Sequence, residues 1–379
     1  MTKPRVLVLT AAGKTGLPIA SQLLEEGFPV TAFVHREDRR SAHLKSKGAD
    51  IVAGSLSDID DMRRAMKGVQ RAYFCTPLGP SHLTGAAVFT AVAAEQPLES
   101  LVAMSQWLSH PSHPAPHTRE TWLGDSLLAL LRTTAVTTIN VGFFADNDLQ
   151  ALPFAAQFGL MTLPYGSGLN AAPSNEDIAR VAAEILARPE GHAGQTYRPT
   201  GPELLSGHDI ATVVGKVLGR RVRYVDAPIW LFSKVMRQMG MSDAFIAHFQ
   251  QYALEYQRGT FAVNAPTQVV RAVTGRDAED YETVARRYVQ QVPDATRSLG
   301  NMLKYAAMMN LWMFRPGPST AQHLRSGDFS DPAHSRLSID SAEWQRSHTH
   351  DALPEPGGAA TSPGREMAAP CQPPDWGRR

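Results

Sequence analysis

The chain has 379 residues, 43% of them hydrophobic and 19% charged, with 37 Lys and Arg against 36 Asp and Glu. That composition suits a folded protein with one large or two modest domains. A net charge of +1 removes any electrostatic basis for holding nucleic acid or a charged membrane surface.

Cys75 and Cys371 are the only cysteines, one in an apolar run and one in a distal tail. A disulfide framework is therefore not expected, and a reducing compartment fits. The N-terminus, Met-Thr-Lys-Pro-Arg, leads straight into an apolar strand pattern without a signal-peptide core. No apolar run reaches the roughly 18 residues of a membrane span. The expectation is a soluble cytoplasmic protein.

Val6 to Leu9 has the length and composition of a buried parallel strand. Thr10 to Gly16 follows as a small-residue turn, and a helix-period segment begins at once. Strand, glycine turn and helix together aim amide groups and a helix N-terminus at a phosphate. Gly13 and Gly16 fit the last two glycines of G-x-x-G-x-x-G, with Thr10 in place of the first. Gly13-Lys14-Thr15 also reads as the G-K-T of a P-loop, but that motif needs a glycine where Val8 stands. A strand-to-helix turn that holds no ligand is the third alternative.

The second strand, Pro29 to Val34, ends at His35-Arg36. An NAD-selective site usually has an acidic residue there for the ribose 2′-hydroxyl. Here Arg36, backed by Arg39 and Arg40, can instead pair with a 2′-phosphate, which favours NADP(H). Further strands are expected over Asp50–Gly54, Arg71–Cys75, Leu98–Met104 and Ala135–Val141, with helices between them. Repeated units of this kind imply an α/β fold: a Rossmann-type doubly wound parallel sheet whose ligands bind beyond the carboxyl ends of the strands.

After the sixth strand, Leu152 to Asn170 reads as turns and aromatics. Ser174 should cap a helix running to Arg188, with Glu176 and Asp177 in its first turn. Strands are expected over Gln195–Arg198 and Arg221–Val225, and helices from Ser206, over Ile229–Met239, Asp243–Tyr256 and Ala278–Val289. The organisation expected is a nucleotide-binding domain at 1–150 and a smaller α/β lobe at 151–290 interleaved with it. A helical extension at 291–350 and a disordered tail at 351–379 complete it. The Met-rich helix Leu299–Phe314 is too short to span a bilayer and is expected to dock on the core, a second copy or a protein partner.

Ser105 ends the fifth strand and His117 follows twelve residues later. In short-chain dehydrogenases a Ser there works with a Tyr at about that distance and a Lys four residues on. No Tyr-x-x-x-Lys occurs in this chain, and Thr121 stands near the Lys position. His117 could serve as an acid near neutral pH, or simply bind at a helix start. His110, His113 and His117 have a metal-like spacing, but the intervening prolines and the absence of Cys or carboxylate partners argue against a metal. Cys75 reads as a small hydrophobe rather than a redox thiol. Trp107, Phe143, Phe144 and Tyr165 fall where they could line a pocket for a planar substrate or serve as ordinary core.

Several segments together resemble the NmrA-like family of atypical short-chain dehydrogenases, particularly its azoreductase-like and quinone-reductase-like members. They are L-V-L-T-A-A-G-K-T-G (7–16), A-F-V-H-R (32–36), T-P-L-G-P (76–80), N-V-G-F-F-A-D-N (140–147), T-G-P-E-L-L-S-G-H-D-I-A (200–211) and V-T-G-R (273–276). The resemblance covers about residues 1–290. It implies an NADP(H)-binding Rossmann domain with a smaller lobe closing a substrate cleft. Gly13, Lys14, Thr15 and Gly16 would hold the pyrophosphate and Arg36 the 2′-phosphate. Thr76 and Pro77 would flank the nicotinamide, and Asn140 to Phe144, including Gly142 and Phe143, would line the cleft. Thr10 would crowd the adenosine side of the approach. Two functions follow: hydride transfer to a quinone, azo or similar planar substrate, or dinucleotide sensing without turnover, for which the residues beyond 290 could meet a partner.

Overall fold

The computed structural model of the chain describes residues 3–77, 82–314, 317 and 335–348. The expected tail at 351–379 and Leu78-Gly79-Pro80 of the 76–80 motif lie outside the described residues.

The first part of the chain alternates strand and helix: β1 (Val6–Val8), α1 (Gly16–Glu25), β2 (Val30–Val34), α2 (Arg39–Ser46), β3 (Asp50–Ala53), α3 (Ile59–Met66), β4 (Arg71–Phe74), α4 (His82–Glu95), β5 (Ser100–Gln106), α5 (Pro116–Leu128) and β6 (Ala135–Val141). There follow α6 (Ala145–Leu149), α7 (Leu152–Phe158), β7 (Leu160–Leu163), β8 (Leu169–Asn170), α8 (Asn175–Ala187), β9 (Thr196–Tyr197), β10 (Leu205–Ser206), α9 (Gly207–Val217) and β11 (Arg223–Asp226). The last helices are α10 (Ile229–Gln238), α11 (Asp243–Gln257), α12 (Val269–Thr274), α13 (Tyr281–Gln291), α14 (Leu299–Phe314) and α15 (Ala342–His348).

Seven strands form one parallel sheet in the order β3-β2-β1-β4-β5-β6-β9. This is the doubly wound Rossmann arrangement, with its reversal of strand order at β1. Val6 of β1 lies between Val30 of β2 and Arg71 of β4, and Ser105 of β5 is paired with Asn140 of β6. β1 and β2 are buried along their whole length, as expected of strands covered by helices on both faces. Helices α1 and α8 pack on one face, with Ile19, Leu23, Ile178 and Ile185 fully buried. Helices α3, α4 and α5 cover the other, around Phe74, Phe89 and Leu101.

Helix starts follow side-chain chemistry. The Ser174 hydroxyl accepts from the Asp177 amide, and the Asp38 carboxylate accepts from the amides of Arg40 and Ser41. Ser206 and Asp209 form a reciprocal capping box at α9. The stretch expected to be turns between Leu152 and Asn170 instead holds α7, β7 and β8. Gly159, at φ +69°, ends α7 in the left-handed conformation that lets β7 begin immediately. β7 then pairs in parallel with β11, and β8 pairs antiparallel with β10. These small sheets carry the second core around Phe143, Tyr165, Tyr256 and Phe261.

The segment 335–348 returns to the body as a strap. The Trp344 indole is 1% exposed, donates to the Trp107 carbonyl at 2.7 Å and meets the Trp107 ring edge-on at 5.4 Å. His348 stacks on Trp344, and its Nε2 lies 3.3 Å from the Asn140 amide nitrogen. The Ser338 hydroxyl donates to the Leu108 carbonyl at 3.0 Å, and the Ser338 amide donates to Glu255. Truncating Trp344 removes both its burial and a buried hydrogen bond. Trp344→Ala should therefore cost about 3–5 kcal/mol, read from equilibrium urea unfolding; a loss below about 1 kcal/mol would mean the strap is not part of the cooperative fold.

Candidate functional site

The turn after β1 is built around one carbonyl. Thr10 adopts φ +49°, a left-handed conformation that a β-branched residue rarely takes and that the glycine it replaces would take freely. Its carbonyl accepts from the Gly13 amide at 2.7 Å. A Cβ on Gly16 would stand 2.4 Å from that same oxygen, and one on Gly13 2.9 Å from it. Both positions are thus closed to any side chain by the backbone itself. Among the described residues, the N–H groups of Lys14, Thr15 and Gly16 find no protein acceptor. They sit at the head of α1, whose dipole favours an anion.

The Thr10 hydroxyl donates to the Cys75 carbonyl at 3.3 Å. Its side chain therefore leans toward β4 and away from β2, and the expected crowding of the adenosine side is corrected. Lys14 reaches across the sheet end: its Nζ lies 2.7 Å from Asp146 Oδ2 and 3.1 Å from the Tyr288 hydroxyl, which itself donates to Asp146. This joins the glycine turn to α6 and α13. The ammonium remains mostly in solvent, so a phosphate could replace Asp146 at little cost.

At the end of β2, Arg36 and Arg39 are exposed and make no ion pair among the described residues. Arg40 is different. Its guanidinium binds Asp38 Oδ2 at 2.6 Å and, with the capping amides, holds that carboxyl well below the usual range. The expected support of Arg36 by Arg40 is thus withdrawn. Asp38 is equally committed, while Glu37 beside it is exposed and forms no ion pair among the described residues.

Beyond the ends of β4, β5 and β6 lies a cavity of about 270 Å³. Thr76, His82, Met104, Ser105, Gln106 and His117 line it from the sheet side. Gly142 and Phe143 line it after β6, and Phe245, His248, Phe249 and Tyr252 line it from α11. These four fall at helical spacing on one face, so α11 covers the cavity. Lys14 and Asp146 also lie on its wall, which makes it continuous with the glycine turn. Pro77 is exposed beside Thr76. Asn140 is not among the lining residues; it is drawn to His348, and its neighbour Val141 takes the wall position. Trp107 and Tyr165 are core residues, Trp107 beneath the strap and Tyr165 stacked on Tyr256 at 3.9 Å.

The histidines divide differently from their spacing. His113 pairs with buried Glu255 at 3.2 Å, with His110 beside it. His117 turns into the cavity, where its ring meets His82 at 5.2 Å and His248 at 5.3 Å, both edge-on. Thr76 and His82 Nδ1 share a hydrogen bond. Burial, with His117 nearby, pushes His82 down to about 4 and His248 well below its ordinary value, so both are neutral at pH 7. Among the described residues no cluster of His, Cys, Asp or Glu has metal-binding geometry. The Cys75 thiol sits 3.6 Å from Met104 Sδ, and burial pushes it up, which suits a small hydrophobe rather than a thiolate. The Ser105 hydroxyl donates to Asp125 of α5 at 2.5 Å.

Gly16 is the position where this geometry is most easily broken. Gly16→Ala should open the turn and weaken NADPH binding at least tenfold in calorimetric titration, about 1.4 kcal/mol. Unchanged affinity would mean that the turn is not the anion cradle.

Comparison with known proteins agrees with this geometry. Residues 10–139 match a family model described as NAD(P)H-binding. An NAD(P)H azoreductase from Xenophilus azovorans is 29% identical over 288 residues, 75% of this chain and 97% of that protein. Among solved structures, the Escherichia coli NADPH-dependent quinone oxidoreductase in complex with NADPH superposes with a TM-score of 0.66 at 18% identity, over 74% of this chain and 99% of that one. NmrA, a negative transcriptional regulator solved with NADP, gives 0.58 at 15% identity, over 83% and 100%. No helix among the described residues is long and apolar enough to cross a membrane. The chain therefore carries an NAD(P)H-binding domain, is similar in sequence to an azoreductase, and shares its fold with a quinone oxidoreductase and with NmrA.

Proposed function

We infer that the protein is an NADPH-dependent reductase of a quinone, an azo compound or a similar planar electrophile. The observation that carries this reading is the continuity of two features: free amides at the head of α1, and an aromatic, partly enclosed cavity beyond β4, β5 and β6. A dinucleotide laid from one to the other would put its pyrophosphate on Lys14, Thr15 and Gly16 and its reactive end by Thr76 and Ser105. Arg36 and Arg39 would take the 2′-phosphate, since Asp38 is already bound to Arg40. Bound there, the cofactor supplies hydride.

The chain's own contribution is positional. Phe143, Phe249 and Tyr252 offer flat apolar faces to a planar ring. The Tyr252 hydroxyl donates to Gln106 at 2.6 Å and Gln106 donates to Thr121 at 2.9 Å, which fixes the polar edge of the cavity. His117 and Ser105 are the groups at the cavity wall that could pass a proton to the substrate. The match to the azoreductase over nearly its full length supports the same class of chemistry.

Oxidation of NADPH by a panel of quinones and azo dyes tests this directly; a protein inert to all of them would remove the reading. Tight NADPH binding without turnover would favour the alternative, a dinucleotide-responsive regulator. Arg36→Ala should lower NADPH affinity about tenfold while leaving NADH unchanged, as expected for one exposed charge-assisted contact. Calorimetric titration with both dinucleotides is the measurement, and an equal loss for both would displace Arg36 from the 2′-phosphate.

A further inference from the structure

Catalytic reduction by hydride leaves negative charge on a substrate heteroatom, and a proton must reach it. The family's Tyr and Lys are missing from this chain, so something else must supply that proton. Ser105 lies on the cavity wall near the end of β5, and its hydroxyl is not free: it lies 2.5 Å from Asp125 Oδ2. Asp125 stands behind Ser105, outside the cavity lining, on the helix that follows the strand.

The partners of Asp125 are hydroxyls rather than cations. Ser109 is a second, weaker donor at 3.5 Å. Among the described residues no Lys or Arg forms an ion pair with it. The titratable neighbours are His82 of α4, whose Nε2 packs on Gly124, and His117 two turns earlier on α5; neither bonds to the carboxyl. Burial pushes Asp125 up to about 7, so near neutrality a good share of the carboxyl is protonated.

We propose that Asp125, acting through Ser105, is the proton source for the reduction inferred above. The proposal rests on that reading and names its acid. Two electrons and a hydrogen nucleus reach the substrate as hydride from the reduced nicotinamide. The Ser105 Oγ–H bond breaks as its proton passes to the substrate heteroatom. In the acid form the 2.5 Å contact runs the other way, with Asp125 donating to Ser105; the Asp125 O–H bond breaks in turn, and that proton restores the Ser105 hydroxyl. Asp125 is left as a carboxylate and is reprotonated from water. Ser105 touches the substrate; Asp125 is a positioning residue that also stores the proton.

The acid form is required, so kcat/KM should fall as pH rises through about 7, the value to which burial pushes Asp125. Asp125→Asn should lower kcat by about 10²-fold, the lower end for general acid catalysis, and abolish that descending limb. Ser105→Ala should reproduce both effects, and Asp125→Glu should restore part of the limb. Calorimetry should show NADPH affinity unchanged in Asp125→Asn. Difference infrared spectroscopy of the dinucleotide-free protein should show, beside the carboxyl of buried Asp148, a second carboxyl titrating near 7 that is absent from Asp125→Asn. A normal profile in Asp125→Asn, or a limb that persists there and vanishes in His117→Gln, would overturn the proposal, as would the absence of that carboxyl signal. If the wild type reduces no quinone or dye, the reductase reading itself falls, an outcome distinct from an active enzyme with an ordinary Asp125.

Discussion

The Thr10 carbonyl is the constraint on which the rest of the molecule depends. It accepts the Gly13 amide and presses against the Cα of Gly16, so three residues must leave that space empty or point away from it. The result is a turn in which α1 starts almost on top of β1 with its first amides facing outward. Thr10 carries the conformational cost that a glycine would have avoided, of order 1–2 kcal/mol for a left-handed non-glycine residue. The hydroxyl bond to the Cys75 carbonyl offsets part of that cost and at the same time ties β1 to β4 beside the reacting end of the cavity.

Much of this was legible in the order of residues. Apolar runs such as Val6–Leu9 and Ala135–Val141 could hardly be anything but buried parallel strands, and the intervening helices forced the crossovers. Caps at Ser174 and Ser206 announced α8 and α9 because Ser and Asp satisfy helix-start amides directly. The segment Leu152–Asn170 was not legible, since α7, β7 and β8 are short and take their stability from packing against β10 and β11, contacts that no local pattern records. The strap was equally hidden: nothing around Trp344 says that its partner is Trp107.

The site shows the same division. Residues within one loop, such as Lys14, Thr15 and Gly16, could be named from spacing alone. The histidine group could not be completed, because His117 was named but its neighbours His82 and His248 come from two other helices, while the spacing set it beside His110 and His113, of which His113 pairs with Glu255. Asp125 belongs to no motif or spacing in the sequence. Its significance comes only from its contact with the Ser105 hydroxyl and the burial of its carboxyl.

The strap has a consequence for biosynthesis. Trp107 and the residue that seals it are 237 positions apart. At ribosomal rates of about 5–20 residues per second, roughly 10–50 s pass between the two. Until the strap arrives, the indole has the Arg198 guanidinium over its ring and the Thr260 carbonyl on its nitrogen but lacks the Trp344 cover, and Asn140 lacks His348. The strap's contacts are thus the last part of the body to close, after every strand of the parallel sheet has left the ribosome.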